Sequence, residues 1–182
     1  PFFETPFGDP EYHDQWALRV AAGDWLGDKV FFRAPLYPYL LGLTYRAFGH
    51  RYVVPRVLQA VLGSLSCLLI YLIGREAFDR RVGILSAGIA SFYGPFVYFE
   101  GELLMEPLIV FLDLSLVLLL LRAHNLWGWL SGGLVLGLSS IARPTVLIFL
   151  PFLLVWTWLR HPPFSLPRSR SETMWWAETW FS

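Results

Sequence analysis

Apolar and polar positions fall in long blocks along this chain, and the block lengths predict its elements. In the polar block 1–33, Tyr12, Trp16 and Val20 recur at helical spacing, with Ala17 and Ala21 beside them. That spacing predicts a short helix lying on a membrane surface, ended by Gly23-Asp24. The apolar stretch Phe31–Phe48 is interrupted by Pro35, Pro38 and Arg46. Prolines make a poor spanning helix, so this stretch is expected to lie along the interface. A longer run, Val53–Gly74, is closed by Arg75, Arg80 and Arg81, and about 20 residues suffice to cross a bilayer. Further apolar segments are Val82–Phe99, broken at Gly94-Pro95, then Leu103–Leu121, Leu126–Ala142 and Thr145–Leu159. The expected fold is all-α, a polytopic transmembrane helical protein.

Composition agrees with that pattern. Hydrophobic residues make up 55% of the chain and charged residues only 15%, against about 25% charged in soluble domains. Nine tryptophans suit the membrane interface, where an amphipathic ring can be half wet. A formal net charge of zero suggests no nucleic-acid partner. Cys67 is the only cysteine, which excludes an intrachain disulfide and a cysteine-based metal site. Neither a P-loop, a Rossmann glycine pattern nor a His-Glu-x-x-His zinc motif is present. No initiator Met, basic n-region or signal-peptide core precedes Glu4, so the chain is expected to be a fragment that begins after a first span.

Basic residues in short loops set orientation. Arg75, Arg80, Arg81, Arg122, Arg160, Arg168 and Arg170 fall on one side if the spans are real, and that side is cytoplasmic. The other receives the acidic 1–33 segment, the turn Glu100-Gly-Glu102, and Arg143. Residues 1–50 are therefore read as a first extracytoplasmic loop with interfacial helices. Residues 51–160 hold about five transmembrane helices, and 161–182 form a cytoplasmic or truncated tail.

Three polar groups could carry chemistry. Asp9, Glu11 and Asp14 form the densest, and a carboxylate there could take a proton from a hydroxyl acceptor. The plainer alternative is an acidic helix start favoured by the helix dipole. Lys29 and Arg33 precede Pro35-Leu-Tyr-Pro38, where a guanidinium could grip a lipid phosphate or simply anchor at the interface. Glu100, Glu102 and Glu106 form the second acidic group, with Glu102, Glu106 and Asp113 expected on one helix face. Carboxylates within a span usually face protein or a wet cavity, and Asp113 is read as a hydrogen-bond partner for a neighbouring span. Arg143-Pro144 could meet a donor phosphate or form a structural turn. His13 could be a proton shuttle or a metal ligand, though one surface histidine is usually neither, and His50, His124 and His161 are read as unremarkable loop residues.

The order of several motifs resembles glycosyltransferase family 39, the protein O-mannosyltransferases and lipid A aminoarabinose transferases. The motifs are Asp9-x-x-Tyr12-x-x-x-Trp16-Ala17, Ala22-Gly23-Asp24, and Phe32-Arg-Ala-Pro-Leu-Tyr-Pro-Tyr-Leu40. They continue through Arg56-Val-Leu-Gln-Ala60, Gly74-Arg-Glu-Ala-Phe78, Arg81-Val-Gly83, Tyr98-Phe-Glu-Gly-Glu-Leu-Leu104 and Ala142-Arg-Pro-Thr145. The resemblance implies a GT-C-like membrane fold, here partial, that uses a polyprenyl-phosphate-linked sugar donor. It implies inverting transfer to a hydroxyl on a protein, lipid or glycan acceptor. Asp9 matches the acidic base of the first extracytoplasmic loop. Pro10 separates Asp9 from Glu11 where several members have adjacent acids, so Glu11 and Asp14 remain candidates. Arg33 matches a basic residue associated with the donor phosphate, and Glu102 the second-loop carboxylate, with Glu100 and Glu106 as competitors. A divalent metal bridging Asp9 and Glu102 is compatible with this set, though no ligand set demands one. The implied location is the bacterial inner membrane, with an extracytoplasmic active site. A fragment of this extent is expected to be inactive by itself. The competing reading is a transporter or channel whose intramembrane charges line a substrate path.

Overall fold

The computed structural model describes residues 8–25 and 34–160, with side chains as far as Val155. The chain divides into two units, Pro1–Val146 and Leu147–Ser182. Every regular element among the described residues is a helix.

Helix α1, Asp9–Ala21, opens with Pro10 and two acids in its first turn, a combination that suits both the missing proline N–H and the helix dipole. It ends at Gly23, whose φ of 99° is easy only for glycine. Helix α2, Leu36–Phe48, packs on α1 so closely that a Cβ on Gly42 would lie 2.7 Å from Val20 Cβ. The buried stripe of α1 is Pro10, His13, Asp14, Ala17 and Val20. The spacing of Tyr12 and Trp16 had pointed to a neighbouring stripe, but Tyr12 is exposed and His13, read as a surface residue, is fully buried. Two polar residues on the covered face had shifted the apparent apolar face.

Helix α3, Val53–Ala77, is about 37 Å long at 1.5 Å per residue, more than the ~30 Å hydrocarbon core. It is the one described helix long and apolar enough to cross a membrane, and only 22% of its most apolar window is buried. A core helix of a water-soluble protein would be mostly covered. Val57, Val61, Leu65 and Leu68 on α3, with Ile84, Leu85, Ile89 and Phe92 beyond it, are exposed. Large apolar side chains exposed in such number suit lipid rather than water.

Helix α4, Arg80–Ser91, is capped by Asp79, whose carboxylate accepts from the Val82 N–H at 2.7 Å. It returns against α3 through a glycine contact: a Cβ on Gly74 would lie 2.8 Å from Gly83 Cα. Helix α5, Gly94–Gly101, continues α4 after a 52° bend, and the pair passes the membrane test only if counted as one broken span. The break falls at the expected Gly94-Pro95.

Helix α6, Glu106–Arg122, starts after a turn and carries Pro107 in its first turn. Glu102 therefore caps α5 instead of sharing a helix face with Glu106 and Asp113, because Leu104 N–H bonds back to Glu102 O at 2.9 Å. Helix α7 is Leu126–Ala142, the expected segment, with Asn125 accepting from Gly128 N–H at 2.9 Å. A 3₁₀ helix, Pro144–Phe149, follows. In the second unit α8 covers Leu150–Arg160.

Helices α3 and α6 run parallel. Near their starts, Arg56 Nε donates to Gly101 O at 3.0 Å and Gln59 Nε2 to Leu104 O at 2.8 Å. Near their ends Arg122 Nη2 meets Glu76 at 3.1 Å. The buried core sits at the first of these ends. Ala17, Tyr37, Leu41, Tyr45 and Leu103 form one cluster, Ile109, Leu112 and Ala142 a second, and Met105 and Leu108 pack against both.

Candidate functional site

The polar residues of the first unit gather at that end, where α1 and α2 dock on the turn between α5 and α6. Asp14 is the best-held of them. Tyr45 Oη donates to its Oδ1 at 2.6 Å, His50 Nε2 lies 3.1 Å from the same oxygen, and Tyr52 Oη donates to Oδ2 at 3.3 Å. Three donors from α2 and the α2–α3 turn thus converge on one buried carboxylate of α1. Burial, then the bond to Asp14, pushes the Tyr45 hydroxyl well above the usual phenol range. Burial followed by the Asp14 charge does the same for Tyr52, with Arg56 opposing. Both hydroxyls therefore stay protonated and able to donate. His50 rings stack edge-on between Tyr45 and Tyr52, with centroids at 4.7 and 4.8 Å. His50, expected to be unremarkable, is instead part of this hub.

The other two first-loop acids face elsewhere. Asp9 and Glu11 are exposed in the first turn of α1, and Glu11 accepts from Gln15 Nε2 at 3.1 Å. Five residues separate Asp9 from Asp14, so the two project about 140° apart around the helix. The sequence cluster is thereby split into an exposed pair and a buried hub.

The second acidic group lies across α2 from that hub. Tyr37 is 3% exposed and edge-on to His13 at 5.2 Å. Its hydroxyl is pushed up by burial first, then by the Glu106 and Asp14 carboxylates, so it lies within reach of both fields. Glu100 lies against α3, where its Oε1 would be 1.7 Å from a Cβ on Gly63. With glycine there the carboxylate can lie directly on the α3 backbone, a place it would have to leave for any larger residue. Glu100 and Glu106 both line a cavity of about 250 Å³ with Gly63, Ser66, Tyr93 and Phe96. Glu102 is half-buried at the end of α5.

Arg143 is exposed beyond α7, with its N–H bonded to Ser139 O at 2.7 Å and its carbonyl accepting from Val146. Ala142 beside it belongs to the cluster with Ile109, so Arg143 stands at the same end as Glu106. Lys29 and Arg33 lie outside the described residues. Asp113 accepts a short bond from Ser139 Oγ, joining α6 to α7, which is the interhelical role expected for it. Among the described residues, no three metal-ligating side chains lie close enough to hold a metal.

Sequence reasoning missed Tyr37, Tyr45, Tyr52 and Gln59. Tyrosines in an aromatic-rich interfacial stretch gave no sign of polar partners. Arg56 and Gln59, one turn apart on α3, were seen only as parts of a motif, and their shared role in holding the 101–104 backbone needs the third dimension.

A helical bundle with one helix long and apolar enough to cross a membrane, and with acids gathered at one end, is compatible with a membrane enzyme or carrier. The comparison with known families decides the class. The model of the dolichyl-phosphate-mannose-protein mannosyltransferase family matches residues 32–168, and the chain belongs to that family, as its motif order implied. It is thus part of a group of membrane glycosyltransferases that take sugar from a lipid-linked donor. No curated protein and no solved structure matches the chain.

Proposed function

We propose that this protein is a polytopic membrane glycosyltransferase that moves a sugar from a polyprenyl-phosphate donor to a hydroxyl acceptor with inversion. One observation carries the reading: α1 with its acids, the Glu100–Glu106 turn and Arg143 gather at one end of the first unit. We take the acidic end to face the extracytoplasmic side of a bacterial inner membrane, because Asp9 matches the acidic base of the family's first extracytoplasmic loop.

In this reading Asp9 is the base. Its carboxylate takes the acceptor's hydroxyl proton as that oxygen bonds to the anomeric carbon from the face opposite the phosphate. The bond from that carbon to the phosphate oxygen breaks, and its electron pair leaves on polyprenyl phosphate. Lys29, Arg33 and Arg143 supply the positive charge that the departing phosphate needs. Asp14 does not share the base role, because three donors already occupy its oxygens. It anchors α1, and so Asp9, on α2.

The test is transfer of label from radiolabelled polyprenyl-phosphate sugars to acceptor extract, using the protein in its membranes. General-base loss costs about 10²- to 10⁴-fold, so Asp9→Asn is expected to fall by at least that lower bound at unchanged membrane level. Wild-type rates in that variant would remove Asp9 from the role. The bent α4–α5 pair and the carboxylate-lined cavity also fit a transporter, whose helices are commonly broken. Solute accumulation in proteoliposomes without sugar transfer would favour that second reading.

A further inference from the structure

Buried polar groups in folded proteins are nearly always hydrogen-bonded, and an unmade bond costs free energy. At this end of the first unit Gln59 Oε1, the Tyr37 hydroxyl and Glu106 Oε2 depart from that rule, although the Gln59 amide still donates to Leu104 O. The Tyr37 hydroxyl and Glu106 Oε2 are both fully shielded, and neither has a hydrogen-bond partner among the described residues. Tyr37 is buried in one cluster with Leu103, and Met105 and Leu108, which flank Glu106 in the chain, pack against that cluster; the Glu106 carboxylate also acts on the Tyr37 hydroxyl. Nearby, Asp14 meets the rule three times over, and Asp113 is bonded to Ser139.

The surroundings limit what the pair can serve. Glu106 forms part of the wall of the 250 Å³ cavity, together with Glu100 and the aromatic rings of Tyr93, Phe96 and Phe99. A carboxylate accepts and a phenol donates, which together satisfy a hydroxyl group in both its roles. Aromatic rings beside them suit the apolar face of a small hydroxylated ring. A phosphate would be repelled by two carboxylates in one cavity, so a charged donor group is excluded here.

We propose that Tyr37 and Glu106 form a binding subsite for a substrate hydroxyl, with the adjoining cavity over Gly63 holding the ring that carries it. This rests on the glycosyltransferase reading and names the part of that site that reads the sugar. The hydroxyl belongs to the donor sugar or to the acceptor, and the two sources are separable by kinetics.

The experiment measures label transfer by the protein in its membranes, varying donor and acceptor in turn, for wild type, Tyr37→Phe and Glu106→Gln. Each variant is expected to raise KM about tenfold, the scale of one lost hydrogen bond to a charged or buried group, for one substrate only. A rise for the donor assigns the hydroxyl to the sugar, and a rise for the acceptor assigns it there. Donor sugars lacking single hydroxyls provide the second measurement. If the sugar is the source, one deoxy donor loses about tenfold with wild type and nothing further with either variant. Wild-type KM values for both substrates in both variants would overturn the proposal. Should Tyr37→Phe fail to reach the membrane, Glu106→Gln and the deoxy series decide by the same criteria. Absence of transfer by the unaltered protein would instead defeat the glycosyltransferase reading, and this subsite with it.

Discussion

Asp14 and Glu106 are both acids placed where the first and second loops meet, yet the fold treats them oppositely. Asp14 receives Tyr45, His50 and Tyr52, while Glu106 keeps one shielded oxygen without a partner among the described residues. A saturated carboxylate holds structure together, because each bond it accepts ties another element to it. An unsaturated one carries a cost that only something outside the fold can offset. Nearness in sequence to a catalytic motif does not separate these two cases, and hydrogen-bond accounting does.

The contrast can be broken most forcefully at Asp14. Asp14→Ala removes the acceptor for three donors, and bonds to charged groups contribute about 1.5–3 kcal/mol. A loss of about 3 kcal/mol is expected, read as a lower melting temperature of the detergent-solubilised protein. Glu106→Gln should leave that temperature within error or raise it, since it replaces a carboxylate whose shielded Oε2 has no partner among the described residues. The reverse ranking would show that Asp14 is dispensable to the fold and Glu106 is not.

Gly63→Ala sharpens the second half of the contrast. The new Cβ would meet Glu100 Oε1 at 1.7 Å, and the end of a flexible side chain can swing away. Stability should fall by less than the ~1–3 kcal/mol of an overpacked core, while substrate KM rises as the cavity loses its second carboxylate. Unchanged KM would detach Glu100 from substrate binding. Tyr52→Phe tests the weakest link of the hub, a 3.3 Å bond at a half-buried hydroxyl. It should cost about 0.5–1 kcal/mol, visible only as a small shift in melting temperature.

Much of the helical frame was legible beforehand, for identifiable reasons. α7 matches its predicted bounds because Asn125 and Arg143-Pro144 punctuate an otherwise apolar run. The break before α5 follows Gly94-Pro95. α6 begins three residues later than its apolar run, because Gln59 bonds the Leu104 carbonyl and Leu104 N–H turns back to Glu102. The face of α1 was misplaced because His13 and Asp14, polar by composition, are covered by α2.

The sequence by itself determined the class of molecule: a set of apolar segments, one of them of spanning length, and a motif order specific enough to name the family. These are properties of composition and local spacing, which act over a few turns of chain. Only the tertiary structure decided which acids are occupied and which are available. That distinction depends on donors supplied from residues more than thirty positions away, such as Tyr45, His50 and Tyr52 around Asp14. No periodicity along a single helix encodes where another helix will deliver a hydroxyl.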